Sequence, residues 1–211
     1  MREWPITCPR FPIYTSRYKN DFMPRSSAKT LAAIHRAGFD LFHKRGYARV
    51  SMDDIAAAAG VTKRSLYYHY DSKDALVGAV LNQQLEQSLR TIRKWGEPPL
   101  DTARDFVDSI FDQLARWAQS PNWTGSGFTR LTVELADLPG HPARKAASRH
   151  KADIEDWIRK ELERLNSVNP AGQARMLCLL IEGATVLTLV HSDTRYLTSA
   201  RETALKLIEA N

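Results

Sequence analysis

The sequence predicts an all-α protein of about nine helices, and three observations carry that prediction. Apolar residues recur at three- and four-residue steps along most of the chain from Ser26 onward. Strand-type alternation is absent over any useful length, and β-turn dipeptides such as Asn-Gly are missing. The 211 residues, 43% hydrophobic and 26% charged, are enough to bury a core of their own.

Each element has a local reason. Leu31, Ile34, Ala37, Leu41 and Phe42 mark a first helix that ends before Gly46. Ser51 caps a short helix of Ile55 and the alanines 56–59, with Asp53 and Asp54 in its first turn and Gly60 stopping it. Thr62 caps another short helix reaching about Tyr68. Asp71 or Ser72 opens a longer one through Leu76, Val80 and Leu85. Asp101 is the expected cap of a helix whose stripe is Phe106, Val107, Ile110, Leu114 and Trp117, ended by Ser120-Pro121-Asn122. A helix over about 126–136 precedes the break Pro139-Gly140-His141-Pro142. Ala147, Ile154, Trp157, Ile158, Leu162 and Leu165 then define a long amphipathic helix. Asn169-Pro170 is an N-cap and N1 pair for a helix apolar on several faces, and a last helix covers about 194–209.

Charge divides the chain. The net charge is +6, but residues 1–24 carry +2, residues 25–80 carry +4 and residues 81–211 are balanced. A basic front end on a neutral body suggests a polyanion partner. Residues 1–24, interrupted by Trp4, Pro5, Pro9, Pro12 and charges, lack a signal-peptide core and are expected to be a flexible leader, with Met23 a possible start. The best apolar stretch, Met176 to Val190, is expected to be too short for a membrane span and contains Glu182. Cys8 and Cys178 form neither a disulfide framework nor a metal spacing, which fits a reduced cytoplasmic setting.

The two short helices flanking Gly60-Val61 have helix-turn-helix proportions, and nearly every residue of Thr62-Lys63-Arg64-Ser65-Leu66-Tyr67-Tyr68-His69-Tyr70 except Leu66 offers a hydrogen-bond donor. Residues 34–81 resemble the DNA-binding domain of the TetR family of bacterial transcriptional repressors. The likeness rests on Ile34…Ala37…Leu41-Phe42…Gly46-Tyr47, Ser51-Met52-Asp53-Asp54-Ile55-Ala56…Ala59-Gly60-Val61, the Thr62–Tyr70 run, and Ser72-Lys73-Asp74-Ala75-Leu76. This chain departs from the usual pattern with His35 for Leu, Gly38 for Ala, Arg64 for Gly or Pro, and Tyr70 for Phe. The resemblance implies a helix-turn-helix domain at 25–80 and an effector-binding and dimerisation domain at 81–211. It further implies that Lys63, Arg64 and Tyr67 face base edges while Ser51, Thr62, Ser65, Tyr68, His69 and Lys73 hold phosphates of a double-stranded operator. Ser51 and Thr62 have a plain alternative as helix caps, Tyr68 and His69 as packing residues, and Lys73 as a solvated charge.

For the body, the resemblance implies a homodimer and a small-molecule effector. The helices 143–166 and 170–191 are the expected dimer surface, through Ile154, Trp157, Ile158, Leu162, Leu177, Leu180, Ile181, Ala184 and Leu187, with the core of a single chain as the alternative. Trp95, Phe106, Phe111, Trp117, Trp123 and Phe128, with Glu134 and Glu182 as polar handles, are the expected effector contacts; an aromatic stripe at helical spacing is also what a plain core looks like, and either glutamate has a surface charge as its alternative. Catalysis is not expected: the six histidines are scattered, and no H-E-x-x-H pair, phosphate loop or nucleophile elbow is present. No catalytic residue, metal or other cofactor is called for. Repression from a palindromic operator is the leading expectation. Transcriptional activation and effector-independent nucleoid binding remain as alternatives.

Overall fold

A computed structural model describes residues 25–209 apart from positions 98 and 122. The expected leader, 1–24 with Met23, lies outside the described residues. Among the described residues there are nine α-helices and no strand, so the all-α expectation holds. They run α1 Arg25–Arg45, α2 Met52–Ala59, α3 Lys63–His69, α4 Lys73–Arg93, α5 Ala103–Ala118, α6 Gly127–Glu134, α7 Pro142–Arg164, α8 Pro170–His191 and α9 Arg195–Glu209, with a 3-10 turn at Lys94–Gly96.

Most boundaries sit where the capping residues placed them. Asn169 accepts from the Gly172 N–H at 3.1 Å and Pro170 occupies the first turn of α8, where its missing N–H costs nothing. One cap differs from expectation. Thr102, not Asp101, caps α5: its Oγ1 accepts from the Asp105 N–H at 3.1 Å and donates to the Asp105 carboxylate at 2.7 Å. That reciprocal pair needs a carboxylate three residues on, and Thr102 has one.

The chain divides into two compact units. The first takes the chain up to Gln83 and also Leu131–Arg144; the second takes Gln84–Arg130 and everything from Lys145. The body is therefore not the uninterrupted 81–211 that the sequence suggested. In the first unit Ile34, Phe42, Val50, Ile55, Leu66, Leu76, Val77 and Val80 are buried. Gly38 lets α1 and α4 approach: a Cβ there would stand 3.3 Å from Val80 Cγ2, so the glycine in mid-helix has a packing reason.

The second unit packs α5, α7, α8 and α9 around Phe106, Ile110, Leu114, Ile158, Leu162, Leu177 and Ala204. Five residues assigned to the dimer surface belong to this core: Trp157, Ile158, Leu162, Leu177 and Ala184 are buried within one chain. Ile154, Leu180 and Ile181 lie partly buried against it, and Leu187 is exposed. An amphipathic stripe satisfies its own core first, which is why these positions turned inward. What α8 leaves outside is a second apolar row, Met176, Leu179, Val186, Leu187 and Val190, at three- and four-residue steps around Gly183. By length and composition alone α8 is also long and apolar enough to cross a membrane, correcting the expectation that no segment is. In this fold its other side is built into the core, and Glu182 is paired with Lys151 and accepts from Thr129 Oγ1 at 2.8 Å.

The expected effector aromatics are mostly structural. Phe106 and Phe111 are core residues, and Trp95 packs against that core with its carbonyl accepting from Ser109 Oγ at 2.5 Å. Phe128 stacks on His150, ring centroids 4.0 Å apart, and Trp117 and Trp123 meet edge to face at 5.6 Å.

Candidate nucleic-acid interface

The geometry of α2 and α3 follows from three cap residues. Ser51 accepts from the Asp54 N–H at 3.1 Å while Asp54 Oδ2 accepts from the Ser51 N–H at 2.8 Å, a capping box. The Ser51 hydroxyl also donates to Asp54 Oδ2 at 2.6 Å, so Ser51 is committed to the cap and has no proton left for a phosphate. These bonds hold the Asp54 carboxyl below its ordinary range. Gly60, at φ +67, ends α2 in the left-handed conformation that lets α3 start at an angle. Thr62 then caps α3, accepting from the Ser65 N–H at 3.1 Å and leaving its own O–H to donate outward.

Helix α3 is anchored by one buried side chain, Leu66, and is otherwise turned to solvent. Lys63, Arg64, Tyr67 and Tyr68 are exposed, and Tyr68 is 84% accessible, which excludes a packing role for that ring within the chain. His69 lies edge to face with it at 5.4 Å. Ser65 is half-buried beneath the row. Arg64 makes no ion pair among the described residues, whereas Lys63 donates to Asp53 Oδ2 at 3.0 Å and lies 2.9 Å from Oδ1. A basic, aromatic, donor-rich face on a short helix with a single anchor is suited to a DNA major groove.

Beside this face Tyr47 is held from four sides. Its hydroxyl donates to the Asp74 carboxylate, and His141 stands edge-on to its ring at 5.4 Å. Lys73 lies over the ring, 3.9 Å from the centroid, and donates to the Tyr47 carbonyl at 3.1 Å. Lys73 is thus a fixed cation beside the start of α4 rather than a loose solvated charge. Burial, then the Asp74 bond, pushes the Tyr47 phenol well up, and that bond holds the Asp74 carboxyl down. The fourth contact comes from Glu134, whose two oxygens accept from the Tyr47 N–H at 2.8 Å and the Ala48 N–H at 2.7 Å. Gly46, at φ +80, makes room: a Cβ there would stand 2.9 Å from Glu134 Oε2. Glu134, expected as an effector handle, is instead part of the first unit. Truncating it, Glu134→Ala, is expected to cost that unit about 1–3 kcal/mol through two lost charge-assisted bonds. Hydrogen exchange at Tyr47 and Ala48 should accelerate; unchanged protection would show that the carboxylate does not hold the turn.

With this arrangement in view, comparison with known proteins is decisive for the domain. The family described as "Bacterial regulatory proteins, tetR family" matches residues 34–80, the stretch that folds into α1–α4 around the turn. The chain carries the TetR-family DNA-binding domain. A transcriptional repressor of Mycobacterium tuberculosis, Rv3405c, is 37% identical over 94 residues, 44% of this chain and 49% of the repressor, so the match spans about half of that relative's length. The regulator EthR of the same organism is 23% identical over 183 residues, covering 85% of this chain and 79% of EthR. The crystal structure of a putative TetR-type transcriptional regulator from Streptomyces avermitilis superposes with a TM-score of 0.73 at 27% identity, over 85% of this chain and 98% of that one.

Within the TetR-family domain, two departures from the usual pattern prove to be partners. His35 and Tyr70, replacing Leu and Phe, hydrogen-bond to each other, and the other ring nitrogen of His35 meets Gln83. Burial pushes the His35 pKa down and that of Tyr70 up to about 12, so both are neutral near pH 7. Sequence reading missed Asp53, Asp74, Glu134 and His141 as members of this region. Asp74 lay inside the quoted motif. Nothing local marks Glu134 or His141, which lie beyond the matched residues.

Proposed function

We propose that this chain is a homodimeric transcriptional repressor, acting in the cytoplasm, that grips a palindromic operator through α3 and is released by a small-molecule effector. The observation that carries the reading is the α3 face: Lys63, Arg64, Tyr67, Tyr68 and His69 displayed around the single anchor Leu66. Arg64, exposed and outside any ion pair among the described residues, is the side chain best fitted to a bidentate contact with guanine. Thr62 and Lys73 flank it as phosphate contacts. The exposed apolar row of α8 supports a second copy, because two-fold proteins read half-sites about 34–36 Å apart and gain affinity by doing so. For the effector, the polar cluster of Ser126, Thr129, Lys151 and Glu182 replaces the aromatic stripe as the favoured region. Ser126, Thr129 and Glu182 line a shallow depression in the second unit with room for about 20 Å³, roughly one water, so an effector would have to widen it.

The test is DNA selection with the purified protein at stated salt, followed by Arg64→Ala. A palindrome should emerge. The substitution should weaken operator binding by about 1–3 kcal/mol and relax one base position in each half-site. Absence of sequence preference in the wild type would sink the repressor reading in favour of nucleoid binding.

A further inference from the structure

The two basic residues that open the recognition helix are not equivalent. Arg64 stands free of ion pairs among the described residues, while Lys63 Nζ is bound by both oxygens of Asp53, at 2.9 and 3.0 Å, across the turn between α2 and α3. Asp53 has no part in capping α2. Its neighbour Asp54 does that work, through Ser51, and also meets Arg45 at 4.0 Å. Both members of the Lys63–Asp53 pair are about three-fifths exposed, so the pair adds little to folding stability. Asp53 sits in the first turn of α2, where a carboxylate suits the positive helix end, but that role does not require it to hold a lysine on the rim of a face meant for a polyanion.

We propose that Asp53 sets the strength and the salt dependence of DNA binding: by neutralising Lys63 it withholds one cation from the phosphate backbone and so lowers affinity for every duplex. The proposal rests on the DNA-binding reading above. Its physical basis is counterion release. Each lysine that neutralises a phosphate steepens the fall of log K with log salt by about 0.9 and strengthens binding to every sequence alike. A lysine already neutralised by a carboxylate contributes nothing of this kind. Affinity for operator and for mixed sequence is therefore held down by the same factor, and the ratio between them, set by base-edge contacts from Arg64 and Tyr67, is unchanged. The near-isosteric Asp53→Asn removes the charge and keeps the shape.

The experiment measures binding of full-length wild type, D53N, K63M and the D53N/K63M double variant to a mixed-sequence duplex and to the selected operator, between roughly 50 and 200 mM salt. D53N is expected to bind both duplexes roughly five- to tenfold tighter per protomer near 0.1 M salt, with a slope steeper by about one and the ratio between the two duplexes unchanged. K63M is expected to do the reverse, because it leaves Asp53 bare beside the phosphates, and the double variant is expected to return to the wild-type slope. A D53N slope equal to wild type on the mixed duplex, or a K63M variant that binds as wild type does, would overturn the proposal. Wild-type protein that binds neither duplex at any salt would instead remove the DNA-binding reading itself.

Discussion

Replacing Leu179 with glutamate is expected to turn the proposed dimer into monomers and to abolish tight binding to the proposed operator. Leu179 is 69% accessible within one chain and lies at the middle of the α8 row with Met176, Val186, Leu187 and Val190. Nothing lies within 4 Å of the position a Cβ would take at Gly183, so a second helix can approach the backbone there. In the isolated chain a glutamate at this position stays hydrated and is a good helix former, so the fold is spared. In a dimer it would bury an unpaired carboxylate, at a cost of several kcal/mol. The predicted dissociation constant rises at least a hundredfold, read by sedimentation or light scattering, with the helical circular dichroism spectrum unchanged. If L179E and wild type showed the same mass at micromolar concentration, α8 would not be the contact surface.

The second unit is expected to lose about 3 kcal/mol of stability as pH falls from 6.5 to 4, through a single histidine. His150 is 3% accessible, its Nε2 is 2.9 Å from Ser88 Oγ, and its ring lies flat on Phe128. Burial, and secondarily the Lys151 charge, lowers its pKa from 6.5 to about 4. The sign follows from proton uptake. Between pH 6.5 and 4 the unfolded chain carries a proton on this ring and the folded chain does not. The stability from His150 is therefore complete above pH 6.5, is lost as pH drops, and is gone near 4. A shift of this size corresponds to about 3 kcal/mol, at 1.36 kcal/mol per unit. Carboxylates titrate in the same window, so the measurement is a difference: urea unfolding of wild type and His150→Gln at pH 7 and pH 4.5. The variant should lose less stability on acidification. Equal losses would mean that His150 already takes up its proton in the folded chain.

The sequence disclosed most where the physics is local. Ser51, Gly60 and Thr62 set the ends of α2 and α3 through bonds to backbone three or four residues away, and those ends fell where expected. The same logic misfired by one residue at α5, because Asp101 and Thr102 are both capping residues and only Thr102 has Asp105 three positions on. Helix α8 was harder for a different reason. When both faces are apolar, a period of 3.6 residues no longer separates inside from outside, so Leu177 and Ala184 were assigned outward although they are core, and Met176 and Leu179 were overlooked. Glu134 had no readable signal: a carboxylate accepting two N–H groups 86 and 87 residues earlier leaves no periodicity and no motif. His35 and Tyr70 each looked like an isolated departure, and only their placement revealed one hydrogen bond.

The passage of Leu131–Arg144 into the first unit bears on how the chain is made as well as on how it stands. The DNA-reading unit is discontinuous along the polypeptide, with residues 84–130 of the other unit inserted into it. During synthesis the turn at Gly46 cannot receive its carboxylate until Glu134 has emerged, by which time α5 is already available to fold. Completion of the first unit thus waits on a stretch of its neighbour, and a gene cut after residue 83 would encode the helix-turn-helix without Glu134 and His141, two of the four side chains that hold Tyr47. The helix proposed to read DNA has seven residues; the compact unit that carries it extends to residue 144.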